Sequence, residues 1–421
     1  MVIRPNIYDP AVVSLLEADF YKYPMGNFVS LLYPNTPVVF GLTNRTKGVR
    51  LAEEIPETLL REHLDHIRTL RFGNTALHFL RGTNEYGRRM FEEPYLEHLR
   101  QLRLPDYELK VVDGQFDLKF PGNWDTVIYW ETLALAVINE LYYRTLLSRM
   151  TRIEQDGVFA EGVKRLEEKI KILRKYPGIK FSNFGQRRRF SRAVEEYVTE
   201  ILASELPNQF VGCSNTFLAQ KYDLMPMGTN AHELPMGISA LMGQTDEGLI
   251  RAQGVMIAQW LEMYGEALSI ILPDTYGRSS CFRAMTPEQI HFCKGFRHDS
   301  DDPFVFGNDV IALYKSVGMT DTDIQDKLIV FSDGLELPLI IKLYEYFAPK
   351  IKVSFGWGTN LTNDLGLKAL SMVIKLIMAG GRPTVKLSDN LGKHTGPESE
   401  INRYKRVHLY GAAHQFVETK Y

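Results

Sequence analysis

Cysteine is scarce in this chain: Cys213, Cys281 and Cys293 are the three in 421 residues. They form neither an even disulfide set nor a metal-type spacing, which excludes a disulfide scaffold or a zinc ribbon and fits a reducing compartment. No apolar run approaches the ~20 residues of a membrane span. Residues 1–10 are polar, carry Arg4 and Asp9 and lack the apolar core of a secretory leader, so a cytoplasmic protein is expected. A net charge of −2 gives no global electrostatic case for nucleic acid or a membrane surface. Internal repeats and low-complexity segments are absent too.

What is present points to α/β structure. Apolar residues recur at helical spacing over 11–32, and 37–42 reads as a strand. Residues 51–105 read as helical, and 108–112 with 115–120 as a hairpin turning at Asp113-Gly114. An amphipathic helix is expected over 126–150 and a solvated charged one over 161–175. Beyond Pro177, short apolar runs each end in a polar or glycine cluster: 179–184, 209–211, 223–227, 268–272, 294–296, 327–331 and 352–355. Strands alternating with helices, with reactive residues at the strand ends, indicate a β/α barrel; a doubly wound sheet is the alternative. Residues 371–378 and 383–387 flank Gly380-Gly381 and read as a final hairpin. The expected division is an α+β domain over 1–140, joined by 390–421, and a barrel over 141–389.

Chemistry gathers at the strand ends. His232 adjoins Glu233; a neighbouring carboxylate can fix one imidazole tautomer and raise its nucleophilicity, and loop capping is the alternative. Gly356-Trp-Gly-Thr359 lets backbone N–H groups approach a phosphate, with Ser332-Asp333-Gly334 as a second wall; plain turns are the alternative. No Walker-type sequence occurs. Asp274 and Asp299 each end a strand and together suit Mg²⁺, although a turn or helix cap also uses an aspartate, as expected for Asp301 and Asp302 before Pro303. Arg187, Arg188 and Arg189 open a helix, where cations oppose the macrodipole, which hints at an anionic ligand. Arg297 and Asp299 share one side of a strand by alternation. Tyr21 and Phe184 can sandwich a flat ring or serve the core.

With these residues in view, the chain resembles the nicotinate phosphoribosyltransferases of bacterial and fungal type. The resemblance rests on LLEADFYKYPMGNF (15–28), FSNFGQRRRFS (181–191), FVGCSNTFLA (210–219), LMPMGTNAHE (224–233), GFRHDSDDP (295–303), VFSDGLEL (330–337), SFGWGTNLTND (354–364) and KLSDNLGK (386–393). It implies an irregular α/β barrel of the type II phosphoribosyltransferases with a mostly N-terminal second domain, and a homodimer with shared active sites. The implied reaction joins nicotinate to 5-phosphoribosyl-1-pyrophosphate (PRPP), giving nicotinate mononucleotide and pyrophosphate for NAD biosynthesis. It is coupled to ATP hydrolysis through a phosphohistidine.

Carried over, His232 is the phosphorylated residue with Glu233 beside it. Tyr21, from the partner subunit, and Phe184 stack on the pyridine. Arg187 and Arg297 flank nicotinate and the ribose phosphate. Asp274 and Asp299 hold Mg²⁺ and the ribose hydroxyls. Asp333, Gly334, Gly358 and Thr359 cradle the 5-phosphate, and Lys386 meets phosphate. Two positions depart from the family pattern: Asp301 replaces a glycine and Cys213 a threonine. The nicotinamide-using relative is the alternative activity. It carries an aspartate where Ser214 aligns, so the neutral Ser214 favours nicotinate. A catalytically dead barrel is disfavoured by the intact site residues, and an aldolase by the want of an obvious strand lysine before Lys386.

Overall fold

The computed structural model describes residues 9–85, 88–389 and 394–411. Its strands, in chain order, are β1 (Pro37–Asn44), β2 (Asn84–Glu85), β3 (Arg88–Arg89), β4 (Glu108–Val112), β5 (Gln115–Asn123), β6 (Phe181–Asn183), β7 (Phe210–Cys213), β8 (Ile270–Ile271), β9 (Gly295–His298), β10 (Leu328–Phe331), β11 (Lys352–Trp357), β12 (Met372–Ala379) and β13 (Arg382–Pro383). The hairpin β4–β5 turns at Asp113 and Gly114, both at positive φ (50° and 72°), as a type I′ turn requires.

Six strands form a parallel sheet in the order β7-β6-β11-β10-β9-β8. The order is cyclic: β6, the earliest of the six in the chain, pairs with β11, the latest, and only the β7–β8 seam lacks a ladder. A doubly wound sheet would reverse its strand order instead; this is a barrel with one irregular stave. The run 223–227, expected as a strand, supplies that stave without becoming one. Asp223 sits at φ 52° and Pro226 has no N–H to give a ladder, so the run makes one isolated bridge, Pro226 to Cys213. On the other side of the seam Thr229 Oγ1 donates to the Ile270 carbonyl at 3.1 Å.

The second sheet is antiparallel, β13-β12-β1-β5-β4. The hairpin β12–β13, turning at Gly380 and Gly381 (φ 57° and 77°), therefore belongs with the N-terminal strands and not with the expected 141–389 unit. The described part of 390–421 departs from expectation as well. Helix Glu398–Val407 packs its Tyr404 with Leu249, Tyr276, Val385 and Leu387, beside the barrel; 390–393 and 412–421 lie outside the described residues.

The helix expected as amphipathic over 126–150 is Trp130–Ser148, and every residue from Trp130 to Arg144 is buried. It lies between the two units, touching β12 and the Gln186–Arg188 turn. A helix with protein on both sides has no face to leave polar. Helix Arg152–Leu173, by contrast, keeps a largely exposed charged side, as expected. Among the described residues no helix is long and apolar enough to cross a membrane.

Candidate active site

The parallel strands end level with one another: Phe331 is in register with His298 and Phe355, and Trp357 with Asn183. Their C-terminal rim carries Phe184 after β6, Ser214 after β7, Asp274 after β8, Asp299 after β9, Ser332–Gly334 after β10 and Gly358-Thr359 after β11. This is the face on which β/α barrels place chemistry.

His232 immediately precedes helix Glu233–Met242 and points at that rim. Its Nδ1 lies 2.9 Å from Thr275 Oγ1. Its Nε2 lies 2.9 Å from Asp299 Oδ2, 2.7 Å from Lys386 Nζ and 3.7 Å from Asp274 Oδ1. Burial, with the Lys386 ammonium beside it, pulls the imidazole below its ordinary range, so the neutral ring is favoured. Neutral, with Nδ1–H donated to Thr275, it presents its Nε2 lone pair to Lys386. Ser300 Oγ donates to Asp274 Oδ2 at 2.5 Å, and Asp274 Oδ1 is buried with no hydrogen bond among the described residues. His232, Asp274 and Asp299 each offer a ligand atom within 4.8 Å of the others. Two carboxylates, one with an unused buried oxygen, fit a hard divalent cation.

Glu233 is not the carboxylate that orients His232. It turns the other way, accepting from Trp124 Nε1 at 2.5 Å and pairing with Lys22 Nζ at 2.5 Å, both buried. Thr275, at Nδ1, takes the role expected of it.

A second group lies across the same mouth. Arg187 pairs through Nε with Asp19 Oδ2 at 3.1 Å and through Nη1 with Glu131 Oε1 at 3.3 Å, and its guanidinium lies 5.5 Å from the Tyr21 ring centre. Ser214 Oγ donates to Asp19 Oδ1 at 2.6 Å. Tyr21 reaches this wall from the same chain, which corrects the expectation that a partner subunit supplies it. Gly228 makes room for it: a Cβ there would stand 2.9 Å from the Tyr21 nitrogen. Phe184 packs on Gly356, where a Cβ would come within 2.3 Å of its ring. Of the arginine run, Arg188 reaches toward the Leu370 carbonyl, and Arg189 is fully buried between Glu17 and Glu195, a structural cation rather than a solvated one.

Arg297 stands between the two groups, with Asp299, Arg187, Asp274 and Tyr21 as its charged or ionisable neighbours. Its Nε is buried and makes no hydrogen bond among the described residues, and burial pulls the guanidinium below its ordinary range. Arg297 is half-buried, and a buried donor left unused is costly unless a ligand supplies the acceptor. Farther along the rim, Asp333 and Gly334 take positive φ (67° and 61°), and Asn360 Nδ2 donates to the Leu335 carbonyl at 3.0 Å, tying their loop to the Gly358-Thr359 loop.

Asp301 neither caps the next helix nor adds a free charge. Asp302 is the cap, accepting from the Phe304 and Val305 N–H groups at 2.7 and 3.0 Å. Asp301 sits at φ 72°, a conformation natural to the family's glycine and tolerated by aspartate. Its Oδ2 accepts from buried Arg278 Nη1 at 2.9 Å. Arg278 also holds Asp389 and Asp309.

The family model described as "Nicotinate phosphoribosyltransferase (NAPRTase) family" matches residues 179–412, and its N-terminal domain model matches 16–139. The chain belongs to the nicotinate phosphoribosyltransferase family. A nicotinate phosphoribosyltransferase of Vibrio cholerae is similar in structure at a TM-score of 0.85 and 30% identity, over 96% of this chain and 95% of that one. One from Porphyromonas gingivalis gives 0.83 and 31%, over 94% and 100%. A putative nicotinate phosphoribosyltransferase of Saccharomyces cerevisiae shares the fold at 0.81 and 24% identity, over 96% and 100%. The chain is thus an enzyme of this family, with the two-unit type II phosphoribosyltransferase architecture.

Residues given no role from the sequence complete the site: Asp19, Lys22, Glu131, Thr275, Arg278 and Ser300. Asp19 and Lys22 lie inside the segment 15–28 that carries the family resemblance. Glu131 sits in a helix with no motif around it, and only its unusual place in an otherwise apolar run marks it.

Proposed function

We propose that this chain transfers the 5-phosphoribosyl group of PRPP to nicotinate, coupled to ATP hydrolysis through a phosphohistidine at residue 232. Family membership supports the transfer, and Arg297, whose buried Nε makes no hydrogen bond among the described residues, is the observation that carries the anionic substrate. The ring nitrogen of nicotinate attacks C1 of the ribose as the C1–O bond to pyrophosphate breaks, and pyrophosphate leaves. Tyr21 and Phe184 hold the pyridine ring, and Arg297 and Arg187 meet its carboxylate and the ribose phosphate. Asp333, Gly334, Gly358 and Thr359 receive the 5-phosphate. Catalysis of this kind is largely positioning and electrostatics.

Asp274 and Asp299 would hold Mg²⁺, which when bound neutralises the leaving pyrophosphate. Lys386 adds a buried cation beside them. In the ATP half-reaction Nε2 of neutral His232 attacks the γ-phosphorus, the bond to the β–γ bridging oxygen breaks, and ADP leaves; water later cleaves the N–P bond, releasing phosphate. Thr275 keeps the proton on Nδ1 while Nε2 reacts. A homodimer, a place in NAD biosynthesis and a cytoplasmic location, with neither nucleic acid nor membrane as a partner, belong to the same reading.

The nicotinamide alternative is weaker, since the Asp19 carboxylate beside Ser214 is already taken up by Arg187 and Ser214. The deciding experiment incubates the purified protein with PRPP, Mg²⁺ and either nicotinate or nicotinamide, with and without ATP, and assays pyrophosphate. Release with nicotinate, stimulated by ATP, is expected. A preference for nicotinamide, or indifference to both rings, overturns the reading.

A further inference from the structure

Lys22 opens helix Lys22–Leu32 and its side chain is 0% exposed. Its ammonium is shared between Glu233 Oε2 at 2.5 Å and Glu131 Oε2 at 2.6 Å. Both carboxylates have a second engagement. Glu233 begins the helix that follows His232. Glu131 Oε1 faces Arg187 Nη1 at 3.3 Å and the Tyr21 hydroxyl at 3.4 Å. One buried cation therefore joins the segment bearing His232 to the wall that receives the ring. The two carboxylates keep the lysine charged, above its ordinary range, although burial alone would neutralise it. Fold stability does not call for such a device, since a buried ion triad is commonly replaceable by apolar side chains at no loss.

We propose that Lys22 is a positioning residue that couples the phosphorylation state of His232 to the grip of Arg187 and Tyr21 on nicotinate. A phosphoryl group on His232 places new negative charge at the start of the Glu233 helix. Lys22 is held between two competing carboxylates, so a shift toward one loosens the other, and Glu131 passes that change to Arg187 and Tyr21. A shared ion between two partners is the kind of two-arrangement element that coupling needs. This rests on the phosphohistidine step of the reading above.

The test measures the nicotinate KM with and without ATP, and the ATP hydrolysed per mononucleotide formed, in wild type, Lys22→Met and Glu131→Gln. In wild type ATP should lower the nicotinate KM by about tenfold or more, the usual span of a coupling between sites. In both variants that ratio should fall to below about twofold, with excess ATP consumed per product. Glu131→Gln keeps the Lys22–Glu233 pair, so it reads the same link if Lys22→Met fails to fold. A variant with a lower Tm, yet with the wild-type KM ratio and ATP stoichiometry, shows a structural role only and overturns the proposal. So does a wild type that transfers phosphoribose with no ATP effect on KM. A wild type forming no pyrophosphate from nicotinate and PRPP overturns the function itself.

Discussion

His232 and Glu233 are consecutive in the chain and face opposite ways: the imidazole reaches Asp299 and Lys386 at the barrel mouth, and the carboxylate is buried against Lys22 and Trp124. At the start of a helix successive side chains diverge by about 100°, so neighbours in sequence serve separate neighbourhoods. The two residues should therefore fail differently when changed.

His232→Asn should keep its fold, lose ATP hydrolysis and retain a slow, ATP-independent transferase activity. Wild type given γ-labelled ATP should carry an acid-labile, base-stable phosphate on the peptide containing His232. Label persisting in His232→Asn would sink the phosphohistidine step and leave phosphoribosyl transfer standing.

Glu233→Gln should still accept phosphate on His232, because Thr275 orients the ring through Nδ1. It leaves Lys22 with one anionic partner, at a cost of about 1–3 kcal/mol. A thermal melt beside the labelling assay separates the two effects; abolished labelling in a stable variant would restore Glu233 as the orienting group.

Arg297→Met should leave Tm unchanged or higher, since it removes a charge from a half-buried position where the buried Nε makes no hydrogen bond among the described residues. A contact between a desolvated cation and its anion is worth about 2–5 kcal/mol, so kcat/KM for nicotinate should fall at least thirtyfold. A large loss of stability with unchanged kcat/KM would assign Arg297 to the core.

Ser214→Asp would set a second carboxylate against Asp19, whose Oδ1 the serine now serves at 2.6 Å. Repulsion toward the substrate carboxylate should lower nicotinate kcat/KM by at least about tenfold, the full cost of an unpaired buried charge starting at about thirtyfold. Unchanged kinetics would remove Ser214 from the ring pocket.

Acid should destabilise the fold through its buried histidines. His63 accepts from the Ala11 N–H at 3.2 Å, and His408 stacks on Tyr276 at 4.4 Å; burial lowers each from 6.5 to about 4. A histidine lowered on folding binds its proton more weakly folded than unfolded. Its contribution is complete above pH 6.5, declines below that and is spent below about 4. The interval corresponds to about 3 kcal/mol at most for each. Tm should stay level from pH 8 to about 7 and then fall, and His63→Gln should flatten the decline. A decline of equal slope in that variant would place the acid sensitivity elsewhere.

The barrel was legible because each short strand ends at a reactive or glycine-rich cluster, and those clusters form the rim that holds Asp274, Asp299, Asp333 and Gly358. The sheet membership of 372–383 was not, since β12 pairs with β1 from the far end of the chain and leaves no local signal of its partner. Pro226 broke the strand pattern at 223–227, and its consequence, an irregular stave leading straight to His232, could be read only once Cys213 and Ile270 were seen on either side. The buried ion groups escaped for a related reason: Glu131 and Lys22 are assembled from distant helices, and charge within an apolar run does not say which opposite charge it meets.

The cyclic strand order also governs how the chain comes to be folded. β6 closes on β11, and β1 waits for β12, so both sheets are completed by strands that lie beyond residue 350. A nascent chain that has emerged only as far as β10 leaves β6, β10 and β1 each without a neighbouring strand, and edges of that kind invite pairing with other molecules. Its contacts span most of the sequence, a topology that folds slowly. Fragments ending before β11 are therefore expected to aggregate rather than to fold in part, and shielding of nascent edges during synthesis should determine how much of this enzyme is recovered.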